Sequence, residues 1–399
     1  MRGYIEGYYG RILSWQDRHR IIDQLATLGM SSYLYAPKED VSHRLRWRTA
    51  WDAEWCAAFA DFCAYAATCN IQVLAGIAPG IDFDFHNEIN EFKILVQKSN
   101  QLVDAGADGV VLMFDDIEPE PETFAGLGRS EAQCHGEIAV RLASEISVPL
   151  SLVPRIYADE ISGEISGGLT REAAGHYQEL AAALPDDMAV FHCGAHIVAG
   201  DAPLDAGNSA VTAAGFGRLV LWDNLYCNDY CPRRLFVGPY QRNADNADNT
   251  DNAELMLNGT GMVESDLLLL SVMQAGDDDH RWQAALRAHG VPDAFFAVAA
   301  WFDAPVISGT IPKILPGPDA EQMAAIEHLL WRWKTPLARE WYPFLFGLKH
   351  DALIQSGEMP AERVAKTQLA PLYQHLDQNR DQNRDQHLDQ NLDQDREGR

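Results

Sequence analysis

Eight short apolar runs, each separated from the next by a longer stretch, constrain the fold of this chain more than any other feature. They are Tyr4 to Glu6, Ser32 to Tyr35, Gln72 to Ile77, Val110 to Phe114, Leu150 to Val153, Ala189 to His192, Leu219 to Trp222 and Glu254 to Leu257. Continuous apolar runs of this length read as strands buried on both faces, the state of a parallel sheet. The intervening stretches include Trp15 to Leu28, Ala53 to Cys69, Glu88 to Ala105, Glu131 to Ile146 and Thr170 to Ala183, and their apolar residues recur at helical spacing. Parallel neighbours need such crossovers. Eight repeats in roughly 270 residues match a closed α/β architecture, the (β/α)8 TIM barrel. An open doubly wound sheet is the competitor, and one missed strand would decide between them.

From about Asp277 the pattern changes to helices alone: Asp279 to His289, Asp293 to Ala300, Asp319 to Lys334 and Ala338 to His350. We therefore expect a catalytic barrel over 1–275, a small all-helical domain over 276–370 and a low-complexity Asp/Gln-rich tail over 371–399. Leu372, Leu376, Leu388 and Leu392 leave a weak self-association reading of that tail open, and the oligomeric state is not legible. The Asp/Asn tract from Asn243 to Asn252 reads as a solvated loop before the last strand, with calcium the weaker alternative.

With 399 residues, 47% of them apolar, the chain can bury a full core. Its net charge of −27 repels a polyanion before any specific contact forms, which argues against nucleic acid as a partner. Seven cysteines form no paired framework, as suits a reducing compartment. No leader sequence is visible before Tyr4, and no apolar run is long enough to span a bilayer, so the expectation is a cytoplasmic protein without a membrane partner. Cys227 and Cys231 lack a second pair, and His192, Cys193 and His196 lack an acidic or third imidazole ligand nearby, so no metal or other cofactor is expected.

The residues just past the strand ends are Gly7, Lys38, Pro79, Asp115 with Asp116, Tyr157, Gly194, Asn224 and Asn258. A barrel gathers all eight ends around one mouth, where ligands bind. Adjacent carboxylates there repel each other's ionisation, so one is expected to keep its proton while the other stays charged, giving an acid and a base in one dipeptide. Neighbouring side chains on a strand face opposite ways, so both reach one ligand only if the backbone bends. Taken singly, the pair reads as a helix cap or solvated loop, Lys38 as a surface cation and Asn224 as a turn residue. Their placement after separate strands favours a common site. A magnesium reading of Asp115, Asp116 and Glu118 lacks any Gly-rich phosphate loop. Trp51, Trp55, Trp331 and Trp333 read as packing residues.

Several segments in order, Glu6-Gly-Tyr-Tyr-Gly-Arg11, Tyr33 to Asp40 with His43 and Trp47-Arg48, Phe114-Asp-Asp-Ile117, Trp222 to Tyr230, and Arg234 to Tyr240, closely resemble glycoside hydrolase family 84. That family contains β-N-acetylglucosaminidases, O-GlcNAcase among them, and the resemblance covers about residues 3–270. It implies retaining, substrate-assisted hydrolysis, in which the sugar's 2-acetamido oxygen attacks the anomeric carbon to form an oxazoline. Asp115 would orient the amide and take up its proton, and Asp116 would protonate the leaving oxygen and then activate water. Gly7 and Lys38 match residues lining the sugar pocket, and Asn224 and Asp229 match those binding the acetamido group and the outer hydroxyls. Tyr157 matches a tyrosine holding the acetamido oxygen, although Val153-Pro-Arg-Ile-Tyr157 stands where Pro-Thr-Glu-Tyr is expected. Asn258 matches an asparagine after the last strand, without the proline expected to follow it, and Trp222 would wall the acetyl pocket. The implied substrates are N-acetylglucosamine-bearing glycoconjugates, either serine- or threonine-glycosylated proteins or free and glycoprotein-derived oligosaccharides. A binding module that has lost turnover is disfavoured by the intact aspartate pair.

Overall fold

The computed structural model describes residues 1–162, 171–198, 210–230, 235–240, 254–303 and 315–359. The Asp/Asn tract, Cys231 and the Asp/Gln-rich tail lie outside the described residues. Eight parallel strands close on themselves in sequence order, β1 (Arg2–Glu6), β2 (Ser32–Tyr35), β3 (Gln72–Ile77), β4 (Gly109–Met113), β5 (Leu150–Val153), β6 (Ala189–His192), β7 (Leu219–Asp223) and β8 (Leu255–Asn258). Closure is direct: Arg2 to Ile5 pair with Leu255 to Asn258 as well as with the second strand. The open-sheet alternative is thereby excluded. All five residues of β4 are buried, the consequence of a strand covered by the barrel interior on one side and helices on the other.

The wall around the strands is built from α1 (Trp15–Thr27), α2 (Ala53–Thr68), α3 (Glu88–Asp104), α4 (Pro121–Leu127), α5 (Glu131–Glu145), α6 (Arg171–Ala183), α7 (Ala210–Ala213) and α8 (Val263–Ala275). Ser14, Asp52 and Ser130 each accept a backbone N–H in the first turn of the helix they precede, which fixes where α1, α2 and α5 start. The loop after β1 is held from below: Glu6, fully buried, accepts from Arg18 Nε at 2.8 Å and Nη2 at 2.9 Å, from the Tyr33 hydroxyl at 2.6 Å and from the Leu13 N–H at 3.1 Å. With its lone pairs and the facing cation this well satisfied, the buried charge orders the loop.

Residues divide into two compact units, the first Met1–Asp229 with Tyr240–Asp277, the second Tyr230–Pro239 with the chain from Asp278 onward. In the second unit lie α9 (Asp279–Ala288), α10 (Ala320–Trp331) and α11 (Pro336–Gln355). The helix expected over Asp293 to Ala300 is instead two 3-10 segments, Asp293–Ala297 and Ala299–Phe302. Its aromatic residues pack tightly, Phe295 lying 5.1 Å from Trp341 and 5.5 Å from Phe302 between ring centres. Packing in this short connection overrides helical spacing. Among the described residues no helix is long and apolar enough to cross a membrane.

Candidate active site

Past the end of β4 the backbone breaks sharply. Asp116 has a φ of 55°, a left-handed conformation that a β-carbon makes costly and aspartate tolerates better than most residues. Among the described non-glycine residues only Asn70 shares it, and Asn70 sits just past α2, where such a residue commonly ends a helix. At Asp116 the same conformation supplies the bend that two neighbouring carboxylates need to face one place. Lys38 Nζ pairs with Asp115 Oδ2 and lies 3.5 Å from Asp116 Oδ2. Arg44 grips the bend itself, donating to the Asp115 carbonyl at 3.3 Å and the Asp116 carbonyl at 2.6 Å.

The two carboxylates have different surroundings. Asp116 accepts from the Tyr9 hydroxyl at 2.8 Å on one oxygen and from the Tyr157 hydroxyl at 2.7 Å on the other. Asp115 is buried, and its Oδ1 has no hydrogen-bond partner although water cannot reach it. A buried acceptor left open in this way is costly unless something completes it. Burial pushes the Asp116 carboxyl up, but the Lys38 charge, the Tyr157 and Tyr9 hydroxyls and the Arg44 charge together outweigh it and hold Asp116 below the usual carboxylate range. Asp116 is thus the member of the pair held charged in the ligand-free site. The Lys38 cation lies against both side chains and offsets part of their repulsion.

On the opposite side of the mouth a lattice of amides is already formed. Asn224 Oδ1 accepts from Trp222 Nε1 at 3.0 Å and from Asn258 Nδ2 at 2.9 Å, and Asn224 Nδ2 donates to the Ile197 carbonyl at 3.0 Å. Asn258 Oδ1 accepts from the Gly7 N–H at 3.2 Å, which ties the end of β8 to the end of β1. Asp229 accepts from the Tyr9 N–H at 2.9 Å and from the Cys227 thiol at 3.0 Å. Tyr9 thus joins the two halves, its backbone on Asp229 and its hydroxyl on Asp116.

The residues for which the resemblance implied a role fall in these two groups, Lys38, Asp115, Asp116 and Tyr157 in the first, Gly7, Trp222, Asn224, Asp229 and Asn258 in the second. Gly7 has a steric reason to be glycine in this fold. A β-carbon there would lie 2.7 Å from Trp222 Cη2 and overlap its neighbouring ring atom, so the missing side chain makes room for the indole. In the ligand-free site the Tyr157 hydroxyl is engaged with Asp116, whereas the resemblance implies a contact with the acetamido oxygen. Tyr9 and Arg44 carry contacts that the sequence reading missed. Tyr9 lies two residues past Gly7 within a quoted motif, whereas Arg44 gives no local signal. His196 pairs with Glu160 at 3.0 Å, and among the described residues no group of three metal-ligating side chains is assembled.

Fold and site together define a (β/α)8 barrel with a carboxylate pair at its carboxyl-end mouth. A family model described as beta-N-acetylglucosaminidase matches residues 2–284, and the chain belongs to that family. Protein O-GlcNAcase from Rattus norvegicus and from Mus musculus are each 26% identical over 247 residues, covering 60% of this chain and 26% of theirs. The chain therefore spans about a quarter of the length of these relatives. A mutant O-GlcNAc hydrolase from Thermobaculum terrenum superimposes with a TM-score of 0.71 at 20% identity, over 96% of this chain and 89% of its own, which supports the fold.

Proposed function

We propose that this chain is a retaining exo-β-N-acetylglucosaminidase that works through an oxazoline formed by its own substrate. The reading is carried by one observation: a buried, unpartnered Asp115 Oδ1 beside an Asp116 that is differently held. A 2-acetamido N–H offers the donor this oxygen lacks. As the acetamido oxygen attacks the anomeric carbon, positive charge grows on the amide, and Asp115 accepts its proton while Lys38 keeps that carboxylate in place. The glycosidic carbon–oxygen bond breaks and Asp116 supplies the proton to the leaving oxygen. Asp116 then takes a proton from water as the water oxygen attacks the anomeric carbon, the oxazoline carbon–oxygen bond there breaks, and Asp115 returns its proton to the nitrogen, restoring the amide and the original anomeric configuration. Since Asp116 lies below the usual range in the free site, substrate must raise it. Excluding water and bringing a leaving oxygen beside the Tyr9–Asp116–Tyr157 cluster act in that direction.

The names of the relatives support O-linked N-acetylglucosamine on protein serine or threonine as the substrate. The test is a pair of variants on aryl N-acetylglucosaminides of graded leaving-group acidity. Asp116→Asn is expected to recover activity with activated leaving groups, and Asp115→Asn is expected to remain impaired with all of them. An equal response of both variants, or indifference to a thiazoline mimic of the cyclised intermediate, would overturn the mechanism. Hydrolysis of a glycopeptide compared with chitobiose tests the substrate separately.

A further inference from the structure

Glycine inside a helix costs backbone entropy and is kept there mainly for close packing. Gly136 in α5 has that reason, since a β-carbon there would lie 2.7 Å from Ala183. Gly175 in α6 does not: a β-carbon at that position would meet nothing within 4 Å. It lines a cavity of about 510 Å³ between α4, the start of α5 and α6, all within the first compact unit. The missing side chain leaves that cavity open. Arg155, 6% exposed, lines it too. Its Nε donates to both Glu131 oxygens, at 2.7 and 2.8 Å, and the four N–H donors of its two Nη groups make no hydrogen bond among the described residues. His176, its side chain 7% exposed, adds an Nε2 without a partner. Donors left open on a buried guanidinium call for an acceptor.

Charge decides which acceptor fits. Glu120, Glu131 and Glu179 border the cavity against Arg129 and Arg155, and Arg129 is already bonded to Glu88 and Glu137, so a carboxylate or phosphate would meet an excess of negative charge. A neutral carbonyl would not. Phe124, Ile156 and Pro121 give an apolar wall for the carbon atoms beside it. A sugar ring would stack on an open aromatic face, whereas Phe124, the one phenyl ring among the described lining residues, is 7% exposed and packs on Phe85 and His135. Amide carbonyls beside apolar side chains are the chemistry of a polypeptide.

The cavity also neighbours the reacting groups along the chain. Arg155 stands two residues before Tyr157, whose hydroxyl bonds Asp116, and Glu120 stands four residues after Asp116 itself. An extended peptide spans two residues in about 7 Å. We propose that this cavity is a second binding site, which takes an uncharged, apolar stretch of the glycosylated polypeptide about two to four residues from the sugar, with a backbone carbonyl on the free Nη groups of Arg155. The inference rests on the hydrolase reading given above.

The test uses two variants of the full chain, Gly175→Leu from α6 and Ala125→Leu from α4, which fill the cavity from different walls and leave Arg155 and Glu131 in place. Each is compared with wild type by kcat/KM on an aryl N-acetylglucosaminide, on a short glycopeptide with apolar residues around the glycosylated serine, on the same peptide with glutamates there, and on chitotriose. Both variants should lose about tenfold on the apolar glycopeptide, mainly through KM, and stay within about twofold of wild type on the other three. An apolar glycopeptide turned over at the wild-type rate by variants of unchanged circular dichroism overturns the inference. An equal loss on the glutamate peptide or on chitotriose overturns the choice of ligand. A wild-type chain inert toward the aryl glycoside instead overturns the hydrolase reading, and this inference falls with it.

Discussion

Removing one hydroxyl should retune the proposed acid. Tyr9 donates to Asp116 Oδ2 at 2.8 Å, and hydrogen bonds of this charge-assisted kind contribute about 1.5–3 kcal/mol in a dry site. The Asp116 side chain is 29% exposed, so water replaces part of what Tyr9→Phe removes and the loss is near the low end, ~1.4 kcal/mol, or about one pKa unit. The direction is fixed: a donor to the carboxylate favours the charged form, so its removal raises the Asp116 pKa. An acid must hold its proton when the leaving group departs, so the alkaline limb of kcat/KM should move up by about one pH unit. The assay is kcat/KM from pH 4 to 9 on an aryl N-acetylglucosaminide with a poor leaving group, wild type against Tyr9→Phe. A well-activated leaving group needs little protonation, and with it the displacement should shrink. A limb that stays in place with the poor leaving group, in a variant of unchanged circular dichroism, refutes the assignment of Asp116 as the group that Tyr9 holds charged.

Gly7→Ala should force the Trp222 indole away and break its bond to Asn224, costing about 1–3 kcal/mol by overpacking and raising KM more than it lowers kcat. Thermal unfolding and steady-state kinetics check the two parts, and a wild-type KM would show that the indole does not shape the pocket. Buried His43 and His192 and half-buried His176 are each pulled down to about 4, chiefly by desolvation, whereas in the unfolded chain they titrate near 6.5. Between those pH values the unfolded state binds protons that the native state refuses, so stability falls as pH drops from about 6.5 to 4, by up to ~3 kcal/mol per histidine. Unfolding midpoints across this range should show the decline, and His192→Phe should make it shallower. A flat profile would mean that these rings find partners when charged.

The strands were legible to within a residue or two at each end because a strand buried on both faces writes itself as a continuous apolar run. Val110 to Phe114 and Leu150 to Val153 needed no knowledge of their neighbours. Helix starts at Ser14, Asp52 and Ser130 were local in the same way, since a cap bonds within its own first turn. The helix expected at Asp293 to Ala300 failed because packing of Phe295 against Trp341, 46 positions away, shapes that segment.

What the sequence determined by itself was the order of strands and the presence of acids, amides and a lysine at their carboxyl ends, since these depend on neighbours along the chain. Only the tertiary structure decided how those groups meet. The left-handed turn at Asp116, the Arg44 grip on it, the Lys38 cation between two carboxylates and the Tyr9 bridge to Asp229 join residues up to 220 positions apart. Hydrogen bonds and charge act through a few ångströms of space, whatever the separation in sequence.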